Sequence, residues 1–271
     1  FRRRRCLVTP WASPAKTSLE GKVVPMICVD DFHKAFGDQV AVAGVGFAVE
    51  PGEIVGMIGP NGAGKTTTMR TLAGVIPPSR GRLSIAGFDV VDQPVAAKSN
   101  LAFVPDDPPL LSDLTVEEHL AFYASVYGVA DATRKARELL DCFELAGKSS
   151  VPASDLSRGM RQKLAICCAY LHEPRALLFD EPLTGLDPQA IRIFKRSLLD
   201  RAASGAAVII SSHLLAMVED ICTRVLILAE GRQRYFGSLD DLRTEFGAVE
   251  QSVRLEDIFF AATSAGVATT A

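Results

Sequence analysis

Several features that would assign a protein to a class are scarce or missing in this sequence. No apolar run approaches the roughly 18 residues of a membrane-spanning helix. The six cysteines form no C-x-x-C pair, and only four histidines occur, so the spacing typical of a zinc site is absent. The formal net charge is −3, and four of the positive charges are the arginines of residues 2–5. Because nucleic-acid surfaces need clustered lysine and arginine, we expect no nucleic-acid partner.

The composition is that of an ordinary globular protein, with 48% apolar and 23% charged residues among 271. This length allows one large or two small domains. Residues 1–25 combine the arginine run with several prolines, and they are predicted to be a disordered tail. We assign one large domain to residues 26–245 and a short C-terminal extension to residues 246–271.

The motif that organises this domain lies in residues 54–67, IVGMIGPNGAGKTT. A strand-length apolar run precedes the phosphate-loop pattern G-x-x-x-x-G-K-[ST], and a helical pattern follows it. Glycines with positive φ, expected at Gly59, Gly62 and Gly64, let consecutive N–H groups converge on an anion at a helix N-terminus. Lys65 can reach the outer phosphates, and the Thr66 hydroxyl can ligate Mg²⁺.

The predicted nucleotide ligands from this loop are Gly59, Pro60, Asn61, Gly62, Ala63, Gly64, Lys65, Thr66 and Thr67.

Two carboxylates follow a second apolar strand, predicted at residues 176–179. In a parallel α/β sheet, ligands bind beyond the carboxyl ends of the strands, so Asp180 lies where a phosphate-loop protein holds Mg²⁺. Glu181 is one residue further and can orient or deprotonate a water beside the γ-phosphate. The alternative is that both acids only cap the next helix. The presence of Lys65 in the same chain favours the nucleotide interpretation.

Three further positions each have a structural alternative. Ser157 and Gly159, in LSRGMRQKL, begin an apolar helix and could form a second anion site, or Ser157 could be an ordinary helix cap. His213 follows an apolar strand and is expected at the ligand edge of the sheet, although a lone histidine there is usually structural. Phe36 precedes the phosphate loop and could stack on a base, or it could be a core residue.

The predicted fold class is α/β, a phosphate-loop NTPase core with a parallel sheet, an antiparallel β portion and an inserted helical subdomain. Residues 106–171 form the helical subdomain, because their periodicity is helical and no convincing strand is found. Within it, Thr115 and Glu118 match a capping box. Strands at residues 176–179 and 208–210 are apolar on both faces, as in a buried parallel sheet. Residues 225–236 are predicted to form a hairpin.

The order phosphate loop, LSRGM, LLFDEP, GLDP and SSH resembles that of the ATP-binding subunits of ABC transporters, over residues 26–245. This resemblance implies the ABC ATPase fold, ATP and Mg²⁺ as ligands, and ATP hydrolysis. It also implies that Phe36 is the base-stacking aromatic, that Asp187 belongs to the D-loop, and that His213 is the switch histidine that senses the γ-phosphate. Arg158 and Met160 depart from the family signature LSGGQ, as they do in drug and ABC-2-type exporter cassettes.

The resemblance also implies partners and a location. A second ATP-binding subunit, identical or different, is expected to pair head to tail, so that Ser157 and Gly159 of one chain close on ATP held by Lys65 of the other. A separate transmembrane permease, more in keeping with export than import, would place the chain peripherally on the cytoplasmic face of the cell membrane.

One position departs from the family pattern. The Q-loop glutamine aligns with Asp106, or with Asp107 if the alignment slips by one residue. Asp106 could ligate Mg²⁺ as an oxygen donor, either directly or through water.

Two other classes compete with this reading. A soluble ABC ATPase acting on ribosomes or DNA would usually carry two cassettes or long coiled-coil insertions, and the sequence has neither. A GTPase would need a guanine-reading N-K-x-D motif, which is absent.

Overall fold

The computed structural model describes residues 24–245 and 255–256. The predictions for residues 1–23, 246–254 and 257–271 lie outside the described residues. The strands are β1 (Ile27–Phe36), β2 (Gln39–Val49), β3 (Ile54–Ile58), β4 (Arg80–Ile85), β5 (Phe88–Asp89), β6 (Leu101–Val104), β7 (Ala176–Asp180), β8 (Ala207–Ser211), β9 (Arg224–Ala229) and β10 (Arg232–Ser238). The helices are α1 (Lys65–Leu72), α2 (Pro94–Ser99), α3 (Val116–Tyr127), α4 (Ala132–Cys142), α5 (Arg158–Leu171), α6 (Pro188–Ala203), α7 (Leu215–Ile221) and α8 (Leu239–Glu245).

The larger sheet has six strands in the order β10-β9-β3-β8-β7-β6. Strands β9, β3, β8, β7 and β6 are parallel, and β10 pairs antiparallel with β9 as the predicted hairpin. Every residue of β3, β7 and β8 is buried, which explains why these strands are apolar on both faces. Because parallel strands end at the same edge, the residues that follow β3, β7 and β8 come together there.

Alternate residues of the central strands pack into two separate apolar clusters. Ile58, Phe179 and Ile210 face a cluster with helices α3 to α6, whereas Met57 and Leu178 face a cluster with α1 and the smaller sheet. The large sheet therefore lies between the helical subdomain and the antiparallel β portion, as the predicted fold class requires.

The smaller sheet is antiparallel, in the order β2-β1-β4-β5. Its hairpin of β1 and β2 is joined to the turn between β9 and β10. The Ala43 N–H donates to the Gly231 carbonyl at 2.8 Å, and the Gly46 N–H donates to Gln233 Oε1 at 3.1 Å. These contacts bring β2 over the start of α1, where the phosphate loop lies.

The helical subdomain begins later than predicted. Residues 105–115 contain no helix, because Pro105, Pro108 and Pro109 interrupt the backbone hydrogen bonds that a helix needs. The capping box is confirmed: the Glu118 N–H donates to Thr115 Oγ1 at 3.2 Å, and the Thr115 N–H donates to Glu118 Oε2 at 2.8 Å. Five short elements were absent from the prediction, namely α2, β5, β6, α7 and α8.

The loop 105–115 is fastened to α3 by a buried histidine. The Leu111 N–H donates to His119 Nε2 at 3.0 Å, and His119 Nδ1 lies 2.8 Å from the Thr115 carbonyl oxygen. Because Nε2 accepts a hydrogen bond, the ring proton is on Nδ1 and the imidazole is neutral. This anchor holds the far end of the loop that carries Asp106.

Candidate nucleotide-binding site

The phosphate loop connects β3 to α1 through two residues in the left-handed region. Gly62 has φ +80° and Gly64 has φ +99°, which side chains rarely adopt. Gly64 is also the N-cap of α1, and no side chain caps the first N–H groups of that helix. Backbone donors at a helix N-terminus are thus available for an anion such as a phosphate.

The prediction of a positive φ at Gly59 is wrong, because Gly59 is not among the residues with positive φ. Glycine is needed there for a different reason: a Cβ would lie 2.3 Å from the Leu228 carbonyl oxygen. Strand β9 passes so close to the loop that a side chain would push the two apart.

Lys65 lies over the loop that precedes it. Its Nζ donates to the Gly59 carbonyl at 2.6 Å and to the Pro60 carbonyl at 3.2 Å. The pKa of Lys65 is lowered, because burial of the ammonium outweighs the opposing effect of the negative charges of Glu181 and Asp180. The ammonium is therefore within electrostatic range of both acids, although its direct partners are neutral carbonyls.

A buried serine, which sequence reasoning left without a role, holds the two acids in place. Asp180 is only 3% exposed, and its Oδ1 accepts a hydrogen bond from Ser211 Oγ at 2.6 Å. The same Ser211 Oγ accepts from the Glu181 N–H at 2.9 Å. The one available signal was positional, since Ser211 ends β8 and pairs with Asp180 across the parallel ladder.

Glu181 has a strained backbone and a specific side-chain partner. Its φ is +49°, which is uncommon for a residue with a side chain and often marks a functional site. Glu181 Oε2 lies 2.8 Å from His213 Nδ1 and accepts from the His213 N–H at 3.3 Å. Because a carboxylate only accepts hydrogen bonds, His213 Nδ1 is the donor. The structure thus joins Glu181, the predicted base, to His213, the predicted switch histidine.

The three predicted metal ligands line one cleft. Thr66, Asp106 and Asp180 border a cavity of about 740 Å³ between α1, the loop after β6 and the helical subdomain. A hydroxyl and two carboxylates are the hard oxygen donors that Mg²⁺ prefers. These residues fit a magnesium site. Asp106 also has a protein partner, because its Oδ1 lies 3.3 Å from Arg158 Nη2.

A second group of predicted ligands gathers where α5 and α6 begin. Ser157 caps α5, with the Met160 N–H donating to its Oγ at 3.3 Å, and the predicted second anion site at this residue stays a prediction. Asp187 caps α6 by accepting from the Ala190 N–H at 2.8 Å, and this hydrogen bond is the main reason why the pKa of Asp187 is lowered. A Cβ on Gly159 would lie 2.4 Å from the Gly185 carbonyl oxygen, so the two motifs touch through their backbones.

Phe36 is an exposed aromatic rather than a core residue. It is 51% exposed at the end of β1, and the Lys34 ammonium lies 4.9 Å from its ring centroid. The same hairpin covers the phosphate loop, because the Ala41 carbonyl oxygen is 3.0 Å from where a Cβ of Gly64 would stand. The β1–β2 hairpin therefore carries an exposed aromatic ring and also contacts the phosphate loop through Ala41.

Comparison with known families gives this geometry a context. The sequence profile of the family described as ABC transporter matches residues 42–184, which is more than half of the chain. The chain belongs to the ABC transporter family. The ABC-type transporter ATP-binding protein EcsA of Bacillus subtilis is 35% identical over 236 residues, which cover 86% of this chain and 95% of EcsA. The Nod factor export ATP-binding protein I of Ralstonia nicotianae is 34% identical over 222 residues, or 81% of this chain and 69% of that protein.

A solved structure of an ATP-binding subunit of an ABC transporter is 37% identical and has a TM-score of 0.84, covering 88% of this chain and 99% of that one. These comparisons confirm the predicted ABC ATPase fold and the assignment to the ATP-binding subunits of ABC transporters, whose relatives here include an exporter. They give no support to a soluble ABC ATPase. ABC ATP-binding subunits bind ATP, dimerise and work with a transmembrane permease. Within the described ranges, no helix is long and apolar enough to cross a membrane.

Proposed function

We propose that this chain hydrolyses ATP in the presence of Mg²⁺, as one of two paired ATP-binding subunits, and thereby drives export through a separate permease. The observation that carries the proposal is the geometry of Glu181. Its left-handed backbone, its bond to His213 and the Ser211 bridge to Asp180 fix a carboxylate beside Lys65.

The phosphate loop and Lys65 hold the triphosphate. The N–H groups at the start of α1 donate hydrogen bonds to the phosphate oxygens, and the Lys65 ammonium neutralises the outer phosphates. Mg²⁺, when bound, neutralises charge on the phosphate oxygens, and it would be held by Thr66, Asp180 and Asp106, the last directly or through water. The exposed ring of Phe36 stacks on the base from the neighbouring hairpin.

Glu181 acts as the general base. The water oxygen forms a bond to the γ-phosphorus, the bond to the ADP oxygen breaks, and the water proton passes to the Glu181 carboxylate. His213 donates from Nδ1 to Glu181 Oε2, which orients the carboxylate toward the water. From this position, His213 also senses whether a γ-phosphate is present.

Pairing of two chains completes each site. Ser157, Gly159 and Asp187 lie at the exposed starts of α5 and α6, where helix N-termini favour an anion. In the proposed head-to-tail pair, which could be a homodimer or a heterodimer, these residues of one chain close on ATP held by Lys65 of the other.

The permease docks beside the cleft. Leu111, Phe122 and Val126 are large apolar side chains, between 49% and 62% exposed, in the loop after β6 and on α3. Exposed apolar groups of this kind mark interaction surfaces, and Leu111 belongs to the loop that carries Asp106. Docking at this place would hold the chain on the cytoplasmic face of the cell membrane.

Replacement of Glu181 tests the proposal most directly. Glu181→Gln keeps the size of the side chain and removes the basic charge, so phosphate release should fall roughly 10²–10⁴-fold while ATP binding, measured by calorimetry, persists. Glu173→Gln is a matched control, because Glu173 also has a positive φ, +52°, but pairs with Lys135. Near-normal turnover in Glu181→Gln would remove Glu181 from the catalytic role.

A further inference from the structure

Arg158 contacts two loops besides its own helix. Its Nη2 lies 3.3 Å from Asp106 Oδ1, in the loop after β6. Its methylene groups cover Gly185, in the loop between β7 and α6: a Cβ on Gly185 would stand 3.2 Å from Arg158 Cγ and 3.3 Å from Cδ. Arg158 and Asp106 are two positions at which this sequence departs from the family pattern, and the structure places them in contact.

The start of α5 and residues 181–187 form a packed unit without Arg158. The Gly159 backbone meets the Gly185 carbonyl, and no side chain would fit between them. Lys163, a buried residue of α5, places its Nζ 3.8 Å from Asp187 Oδ2 and 4.0 Å from Glu144 Oε2. Glu181 begins the same loop, so a shift of α5 would be transmitted toward the general base.

The loop that carries Asp106 is less firmly held. Its buried anchor, the Leu111 hydrogen bond to His119, is five residues away. Asp106 itself is 51% exposed, and its described side-chain partner is Arg158. The contact between Arg158 and Asp106 thus links this exposed loop to the packed unit.

Electrostatics explains why the two departures occur together. Arg158 is the first residue of α5, where the helix dipole disfavours a positive charge. The Asp106 carboxylate neutralises the guanidinium, and an uncharged glutamine at that position could not. The carboxylate thereby offsets part of the cost of a positive charge at the start of α5.

We propose that Arg158 is a positioning residue for the reaction: it holds the Asp106 carboxylate, on the metal side of the site, in a fixed relation to the loop that carries Glu181. This inference rests on the proposed ATPase function for its kinetic consequence, but the contact itself is testable without catalysis.

A double-mutant cycle tests the kinetic consequence. Arg158→Gln keeps the methylene groups over Gly185 and removes the charge, and Asp106→Asn keeps the size of the aspartate. Arg158→Gln should lower kcat for ATP roughly 3- to 10-fold with little change in KM, and Asp106→Asn should lower it at least as much, because Asp106 is also a proposed Mg²⁺ ligand. The double variant should be no slower than Asp106→Asn, because Arg158 then has no carboxylate left to hold. Factors that multiply in the double variant, or full kcat in Arg158→Gln, would overturn the proposal.

Hydrogen exchange in the chain without nucleotide gives an independent readout. Arg158→Gln and Asp106→Asn should raise exchange of the hydrogen-bonded amides of Leu110 and Leu111 by similar factors, roughly 3- to 10-fold. Arg196→Gln is the matched control, because Arg196 forms an equally simple ion pair with Asp200 within α6, at 3.0 Å. The unfolding temperature should move by less than about 2 °C in each variant, since exposed ion pairs contribute little to stability.

Unchanged exchange of the Leu110 and Leu111 amides would overturn the proposal even if turnover fell. Conversely, a parent chain that does not hydrolyse ATP would refute the proposed function, and the exchange measurement would still decide whether Arg158 holds Asp106.

Discussion

The ligand edge of the large sheet and the junction of α5 and α6 both carry predicted ATP ligands, but they are built differently. At the sheet edge, Asp180 and Ser211 are buried and joined by a 2.6 Å hydrogen bond between fully buried strands. At the helix junction, Ser157 and Asp187 are exposed, and the side chain of each caps a helix. The first region has its polar groups fixed inside one chain, whereas the second presents them to the outside.

This difference corresponds to two chemical tasks. A general base and a metal site need side chains that do not rearrange during the reaction, and buried hydrogen bonds provide this preorganisation. A surface that closes on a ligand held by another chain must remain accessible until the two chains meet. We therefore expect substitutions at the sheet edge to affect chemistry within one chain, and substitutions at the helix junction to affect pairing.

Lys65 offers the largest expected effect at the sheet edge. Lys65→Ala removes the cation that faces the phosphates, so ATP affinity should fall about 10–100-fold and turnover roughly 10²–10³-fold. Calorimetry and phosphate release measure the two effects. Lys195→Ala is the control, because Lys195 pairs with Asp220 between α6 and α7. Unchanged turnover in Lys65→Ala would contradict the phosphate-loop assignment.

Much of the sheet edge could be predicted from the sequence because its signals are local. The apolar runs of β3, β7 and β8 are strong, and the residues after them fall at one edge by topology alone. Strand β6 was missed because it has only four residues, and a short apolar run followed by a proline has no clear period. The role of Ser211 could not be predicted, since a serine at the end of a strand has no distinctive pattern.

The helix junction was less predictable because its contacts join distant parts of the chain. The contact between Asp106 and Arg158 spans 52 positions, and neither residue alone suggests the other. The close approach of Gly159 to the Gly185 carbonyl is likewise a property of packing. For Ser157, the cap was recognisable from the sequence, and its role toward a partner's ATP stays a prediction.

Ser211 tests whether buried hydrogen bonds position the two acids of the sheet edge. Ser211→Ala removes the donor to Asp180 and the acceptor for the Glu181 N–H, so both acids lose their fixed positions. Turnover should fall roughly 10–100-fold, the effect of a small displacement of a catalytic group, and ATP binding should change little. Ser197→Ala is the matched control, because Ser197 is also buried but bonds to Tyr170 in the core. If both variants lost stability equally and kept full turnover, Ser211 would be a structural serine only.

The smallest expected effect is on turnover in a Ser157 variant. Comparing Ser157 with Thr115 separates this effect from a loss of stability. Both residues cap a helix with a side-chain oxygen, at the starts of α5 and α3. Ser157→Ala and Thr115→Ala should each reduce the free energy of unfolding by about 1 kcal/mol, the usual cost of losing an N-cap. If Ser157 also contacts ATP held by a second chain, Ser157→Ala alone should lower turnover, by roughly 5- to 10-fold, in line with one lost hydrogen bond.

The same pair can be examined in the background of Glu181→Gln, in which ATP is bound but hydrolysed slowly. Light scattering with ATP and Mg²⁺ should then detect a dimer, and adding Ser157→Arg should abolish it by placing bulk at the start of α5. Adding Thr115→Arg should leave the dimer intact, because Thr115 belongs to the cap of α3. A dimer that forms without ATP, or that survives Ser157→Arg, would contradict head-to-tail pairing through the α5–α6 junction, because that pairing requires ATP to lie between the phosphate loop of one chain and Ser157 of the other.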